Sequence, residues 1–430
     1  MKKIFFALVA LLVTASFSTK AEGQNVNYDT YFTKDRLRID LVFAGDAREQ
    51  NIFLDALQKE GEWSGSKTNL NDNFNYGEYR YEVYTKTGEK IFSQGFSTLF
   101  QEWRTTAESK TTPRAFTGSY RIPFPKEPVT VKFFEREKSN GKFELLYSLN
   151  IDPADKMISR EKENNFKVTS ILNSGDPAKK VDILFIAEGY TAAEMAKFRT
   201  DAAKFACYLF NIEPYKSRKS DFNIWAVESV SQESGPDIPH QDIWKNSVAS
   251  SNFFTFRIDR YLTAPDHKKV SQIAANSPCD AMYVIVNTNK YGGGGVYNFY
   301  GLSMSDHPTE AAVFVHEFGH SFAGLGDEYY TSDVAYEDFY NLKVEPWEPN
   351  LTTLVNFEKK WSNMIDSNTP RPTPNTPEYK NKTGVFEGGG YMAKGIFRPC
   401  IDCRMKTNNA EGFCPVCTKA INDMIDFYTK

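Results

Sequence analysis

The sequence predicts an α+β chain in two parts, an antiparallel β-sandwich over residues 24–155 and an α/β domain over residues 165–430. Three observations carry that expectation. At 430 residues the chain exceeds what one ordinary hydrophobic core serves, so two domains are expected. The hydrophobic period changes along it, from two-residue alternation in the first third to continuous apolar runs and three- and four-residue spacing beyond residue 180. Between them the stretch Asp152 to Lys167 is charged and poor in apolar residues, and reads as a linker.

The chain opens Met1-Lys2-Lys3, continues with an apolar run from Ile4 to Phe17, and then presents Thr19-Lys20-Ala21, small residues at the spacing of a cleavage site. That is a signal peptide over residues 1–21, and it predicts a periplasmic or secreted protein. The first cysteine is Cys207, so no lipid-modified cysteine follows the cleavage site. No later stretch approaches the roughly 20 apolar residues of a membrane span. A net charge of −4 supplies no basic footprint for nucleic acid.

In the first domain Leu37, Ile39, Leu41 and Phe43 alternate with polar residues, as do Tyr79, Tyr81 and Val83. Asn140-Gly141 predicts a two-residue hairpin turn between strands at 129–137 and 143–151. A sandwich follows most naturally. Its aromatic residues serve either as core or as a face for glycan or protein.

In the second domain Val181 to Ala187 is a buried strand, and Thr191-x-x-Glu194 is a capping box opening a helix marked by Met195, Phe198, Ala202, Phe205 and Leu209. Further strands read at Phe222 to Glu228 and Ala281 to Asn287. Gly292 to Gly295 lacks the Gly-Lys-Ser/Thr of a phosphate loop. It is either a flexible connector or a cleft rim for an extended substrate, with Gly388 to Gly390 as the opposite wall. Asp306 and Pro308, with Glu310 in the first turn, start the next helix. Pro370 to Pro377 is a surface loop rich in proline.

That next helix carries His316-Glu317-x-x-His320. Residues four apart sit about 40° apart on a helix, so both imidazoles can reach one ion. Glu317 flanks the ion, where it can take the proton of a zinc-bound water whose pKa falls to about 7. Phe314, Phe318 and Phe322 fall on the opposite face, toward a core. The third ligand is expected to be a carboxylate, because His240, His267 and His307 all lie upstream. Gly324 can end the helix, and three more residues span up to about 10 Å, which brings Asp327 back to the metal. Glu328, Glu337, Glu345 and Glu348 are its rivals. Tyr329, Tyr391 and His307 are candidate oxyanion donors by type.

Cys400-x-x-Cys403 and Cys414-x-x-Cys417 form a second constellation. In an exported chain disulfides are preferred, with a structural zinc site as the alternative. Cys207 and Cys279 either bridge or are buried thiols.

The string His-Glu-Phe-Gly-His-Ser-Phe-Ala-Gly-Leu-Gly-Asp-Glu-Tyr, residues 316–329, resembles the active-site signature of the bacterial IgA-peptidase family of zinc metallopeptidases, relatives of the metzincins. Metzincins place a glycine three residues before the third ligand, as Gly324 stands to Asp327; here the span from His320 is one residue longer and the usual histidine is replaced. The segments Gly384 to Tyr391, Arg398-Pro399 and Cys403-Arg404-Met405 share the likeness, which covers roughly residues 165–430. It implies a metzincin-like α/β zinc-peptidase domain, one catalytic Zn2+, Met405 in the turn beneath the metal, and an extracellular protein substrate, immunoglobulin or another glycoprotein. The competing reading is a surface glycan- or glycoprotein-binding protein with an inactive peptidase-like domain. An intact Glu317 speaks against it, since zinc can be held without that residue.

Overall fold

The structure, a computed structural model, describes residues 26–331 and 339–430; the predicted signal peptide and Glu337 lie outside the described residues. After a short helix α1 (Tyr28–Tyr31), strands β1 (Phe32–Gly45), β2 (Gln50–Glu62), β3 (Tyr79–Thr85) and β4 (Lys90–Phe96) lead into helix α2 (Leu99–Arg104). Strands β5 (Arg114–Pro125), β6 (Val129–Arg136) and β7 (Phe143–Ile151) follow. They form two antiparallel sheets, ordered β2-β1-β5 and β4-β3-β6-β7. The aromatic strand residues meet between the sheets: Phe43 packs on Tyr79 at 5.5 Å between ring centres, and Tyr120 on Tyr81 and Phe133 at 5.7 and 5.8 Å. They are core.

Two expectations change here. The turn between β6 and β7 is longer than Asn140-Gly141 alone: the Glu137 N–H bonds Lys142 O, and the Gly141 N–H bonds Glu137 O with φ +71°. Positive φ is needed only at the glycine. The stretch Asp152 to Lys167 is no free linker either. Ile158 is buried, Ser159 exchanges backbone hydrogen bonds with Leu57 and Lys59, and Glu163 pairs with Arg38 at 2.8 Å.

Beyond it lie β8 (Lys167–Leu172), β9 (Val181–Glu188), α3 (Met195–Phe210), β10 (Phe222–Glu228), α4 (His267–Ala274), β11 (Ala281–Val286), β12 (Gly293–Val296) and β13 (Tyr300–Met304). The capping box forms at Thr191 and Glu194, one turn ahead of α3. The strands make one mixed sheet, β12-β13-β11-β9-β10-β8, parallel in its centre and antiparallel at both edges. Helix α5 (Glu310–Ala323), hairpin β14 (Phe386–Gly389) with β15 (Met392–Arg398), and helix α6 (Pro415–Thr429) complete the chain. Strand β9 is buried throughout, as its continuous apolar run requires. Ile183 and Phe185 join the core under α3, α5 and α6, while Leu184 and Ile186 join the core that includes α4 and the N-terminal strands.

That shared core means the two parts are not separate globules. Helix α4 packs on β5 beside β1, and the carbonyls at its end meet Arg36, so Arg36, Arg38 and Asp40 are buried where simple alternation puts them in solvent. The charges are matched: Glu60 accepts from Arg36 at 2.8 Å, Arg38 at 2.7 Å and Arg121 at 2.8 Å. Arg36 also donates to Ala275 O and Ser277 O, and Arg121 to Ser271 O, satisfying carbonyls at the end of α4.

Burial pushes Glu60 up, but Arg121, Arg36 and Arg38 outweigh it and bring the carboxyl from 4.5 to about 2. The sign follows. This contribution to stability is complete above about pH 4.5 and fades as pH falls toward 2. Replacing Glu60 with Gln is expected to destabilise by about 3–5 kcal/mol, because three guanidinium groups lose a buried counter-charge. A urea midpoint unchanged from the parent protein at neutral pH contradicts this account.

Candidate metal centre

Helix α5 carries two faces, as its sequence spacing requires. Phe314, Phe318 and Phe322 are buried in the core, while His316, Glu317 and His320 are half-buried and line a cavity of about 490 Å3. The helix ends at Gly324, left-handed at φ +63°, with its N–H on His320 O. Strand β12 lies against the exposed face. A Cβ on Gly295 would fall 2.4 Å from Glu317 O and 2.9 Å from His320 Cβ, and one on Gly293 would fall 2.9 Å from Glu317 Oε1. The glycine run therefore allows close approach of strand to helix. It is neither a loose connector nor a wholly open edge, since Tyr261 bridges to it at Gly293.

The two imidazoles are aimed by their far nitrogens. His316 Nδ1 bonds Arg404 O at 2.9 Å and His320 Nδ1 bonds Leu325 O at 2.5 Å. Each Nδ1 then carries the proton, which leaves both Nε2 lone pairs facing the cavity. The Nε2 atoms are 3.0 Å apart, and Asp327 Oδ1 lies 3.0 Å from one and 3.2 Å from the other. Asp327 Oδ1 is buried, and neither contact has hydrogen-bond geometry. Three donors about 2.0 Å from a tetrahedral ion stand about 3.3 Å apart. The separations fit zinc.

Asp327 is held tightly. Its peptide carbonyl accepts from Gly390 N–H at 2.7 Å, and its Oδ2 accepts from the Tyr391 hydroxyl at 2.5 Å. Tyr391 sits at φ +65°, a left-handed conformation that is strained for a tyrosine. Gly388 to Gly390 thus clasp the Asp327 segment. Arg398 secures that hairpin through Glu387 O and Gly388 O, and Asn350 bonds both backbone groups of Gly326. Met405 is fully buried beneath α5: a Cβ on Gly319, between the histidines, would fall 2.8 Å from its sulfur.

Among the rivals for the third position, Glu345 accepts from Asn356 N–H, and Glu348 accepts from Tyr340 while burial, with Glu78 adding, pushes it up to about 7. Glu328 turns the other way, onto Cys417 Sγ at 3.3 Å. The other histidines are engaged elsewhere: His240 with Asp259, His267 stacked on Phe299, His307 with Thr309. Of the three oxyanion candidates, Tyr329 and Tyr391 line the cavity and His307 does not.

Glu317 has a carboxylate oxygen within 4.8 Å of both imidazoles. Burial raises its pKa; the two imidazoles oppose that shift and Asp327 adds to it. Arg260 was missed at the sequence level. It lines the same cavity and hydrogen-bonds Tyr329, and no local pattern marks a lone arginine in a loop. Glu78 just before β3, Ser97 just after β4 and Glu102 in α2 also line the cavity.

All six cysteines are free thiols, Cys207 exposed and Cys279 partly buried. The structure brings together Cys403, Cys414 and Cys417, with Glu328 rather than Cys400 as the fourth member.

Comparison with protein families gives two matches. The one described as IgA Peptidase M64 covers residues 169–381 and 375–425, and the one described as Peptidase M64 N-terminus covers residues 27–148. A comparison with curated proteins returns no match.

Asp327→Ala is expected to lower metal affinity and activity together, since it removes one of three donors. Tyr391→Phe leaves all three donors in place and is expected to weaken metal by about 10–100-fold, the usual cost of losing such a supporting hydrogen bond. Full metal occupancy in Asp327→Ala under competition with a chelator sinks the three-donor assignment. Gly295→Ala is expected to cost about 1–3 kcal/mol of stability and to reduce metal binding, because the new methyl meets backbone rather than a yielding side chain.

Proposed function

Because this chain belongs to the IgA peptidase M64 family, its peptidase activity is the premise from which we propose the finer reading: a secreted, zinc-dependent endopeptidase acting on extracellular proteins, immunoglobulin or other glycoproteins among them. The observation that carries it is the convergence of His316, His320 and Asp327 with Glu317 alongside.

His316, His320 and Asp327 would hold a zinc ion, which would supply a Lewis acid for the scissile carbonyl and a more acidic attacking water. Glu317 takes the proton of that water and passes it to the leaving amine. Its raised pKa suits both steps, because a carboxyl closer to neutrality holds a proton and also releases it. Asp327 sets its carboxylate beside both imidazoles, whose orientation Arg404 O and Leu325 O fix, and Tyr391 fixes Asp327. Arg260 and Tyr329 flank the same space and are the groups nearest in kind to an oxyanion donor. Half-burial of Glu317 and the histidines keeps bulk water from these charges.

The architecture in this reading is a β-sandwich over residues 24–155 and a metzincin-like catalytic domain over residues 165–430. The two antiparallel N-terminal sheets and the separate family matches support it. The basic start, apolar run and small residues of positions 1–21 support export. Among the described residues no helix is long and apolar enough to cross a membrane.

Glu317→Ala is expected to retain zinc and to lose about 10²–10⁴-fold in protein cleavage. Comparison at matched zinc content tests the reading, and undiminished cleavage would falsify it.

A further inference from the structure

We propose that Glu328, Cys403, Cys414 and Cys417 bind a second, structural zinc ion. The four donor atoms lie within 4.8 Å of one another, and all four residues are buried. Cys403 and Cys417 place their sulfurs 3.8 Å apart, and Cys417 Sγ is 3.3 Å from Glu328 Oε1. A tetrahedral zinc with Zn–S near 2.3 Å sets sulfur atoms about 3.8 Å apart, and a sulfur and a carboxylate oxygen about 3.5 Å apart. A disulfide requires about 2.05 Å. The spacing is that of ligands around an ion.

The surroundings agree. Glu328 is fully buried, and its Oε2 has no hydrogen-bond partner. A buried carboxylate oxygen left this way is costly unless a cation or a proton meets it. Asn350 donates to its Oε1 at 3.0 Å and so fixes the carboxylate. Backbone N–H groups donate to sulfur, Cys414 N to Cys403 Sγ at 3.3 Å and Cys417 N to Cys414 Sγ at 3.5 Å. Such bonds, at the start of the fifteen-residue helix α6, bring partial positive charge to two of the sulfurs. Cys400 lies beside Cys414 but outside the set of four mutually close donors, with its sulfur also on Lys382 O at 3.8 Å. Three soft sulfurs with one carboxylate select zinc over the hard cations. On binding, each thiol releases its proton to solvent as its sulfur takes up the ion, and nothing is oxidised.

The site has a structural consequence. Glu328 follows Asp327 directly, and its N–H bonds Met405 O at 2.8 Å. One ion would therefore pin together the segment that supplies the third catalytic ligand, the turn beneath the catalytic helix, and α6. None of its four donors serves the His316, His320 and Asp327 centre, so the proposal stands apart from the peptidase reading.

The test uses the full chain with His316→Ala and His320→Ala together, which dismantles the other centre. Metal analysis after gel filtration is expected to find one zinc per chain, falling to none when Cys417→Ser is added. Glu328→Ala in the same background is expected to lose zinc to a chelator that the double variant resists. Cobalt replacing the zinc in that variant is expected to show intense thiolate-to-metal charge-transfer absorption, which imidazole and carboxylate ligands do not produce. Should the variants fail to fold, the parent protein decides: two zinc ions per chain and six titratable thiols after denaturation with chelator support the site. One zinc with fewer than six thiols overturns it in favour of a disulfide. Full zinc retention in Glu328→Ala overturns the fourth ligand.

Discussion

Two backbone carbonyls govern this centre. Arg404 O and Leu325 O each accept from an imidazole Nδ1, and only with those bonds made do both Nε2 atoms face one point. Leu325 is placed by the left-handed turn at Gly324. Arg404 is placed by its own guanidinium, which donates to Asn408 O and Ala410 O, and by the neighbouring Met405 packed under Gly319. The helix supplies the two rings at the right spacing, but the loop that follows it and a turn eighty residues further on decide where the rings point.

The carboxylate beside the two rings obeys a different constraint. Asp327 cannot reach the histidines through a helix or a strand, so its position depends on what clasps its segment: the Gly388 to Tyr391 turn on one side, and Asn350 with Glu328 on the other. Strain at Tyr391 is tolerated because its hydroxyl satisfies a buried carboxylate oxygen. A buried anion between two imidazoles favours positive charge, whether proton or metal ion. His320 reflects this: burial alone lowers its pKa, and Asp327 reverses that, to about 9.

The N-terminal strands are part of the same machine. Their buried ion network holds α4, and α4 lies in one core with the central strand of the catalytic sheet. Residues from both parts line the cavity, so the cleft would lose one wall without the first domain. A charged network was needed there because helix α4 ends against the sheet with unpaired carbonyls, which arginine satisfies and an apolar side chain cannot.

Local periodicity was sufficient for β9, α3 and α5, and for the two faces of the metal helix, since side chains four residues apart on a helix share a direction whatever surrounds them. Spacing and the absence of downstream histidines sufficed to nominate Asp327. Other features were not legible: the burial of Arg36 and Arg38, the contribution of Arg260, the pinned stretch before β8, and the pairing of Glu328 with three cysteines in place of Cys400. Each depends on which distant segment arrives beside it. The sequence by itself determined the chemistry available and its placement on local elements; only the tertiary structure decided which carboxylate faces the histidines and which faces the thiols. Asp327 and Glu328 are adjacent, yet one carboxylate lies beside the imidazoles and the other beside Cys417, and the packing on each side selects the direction of each.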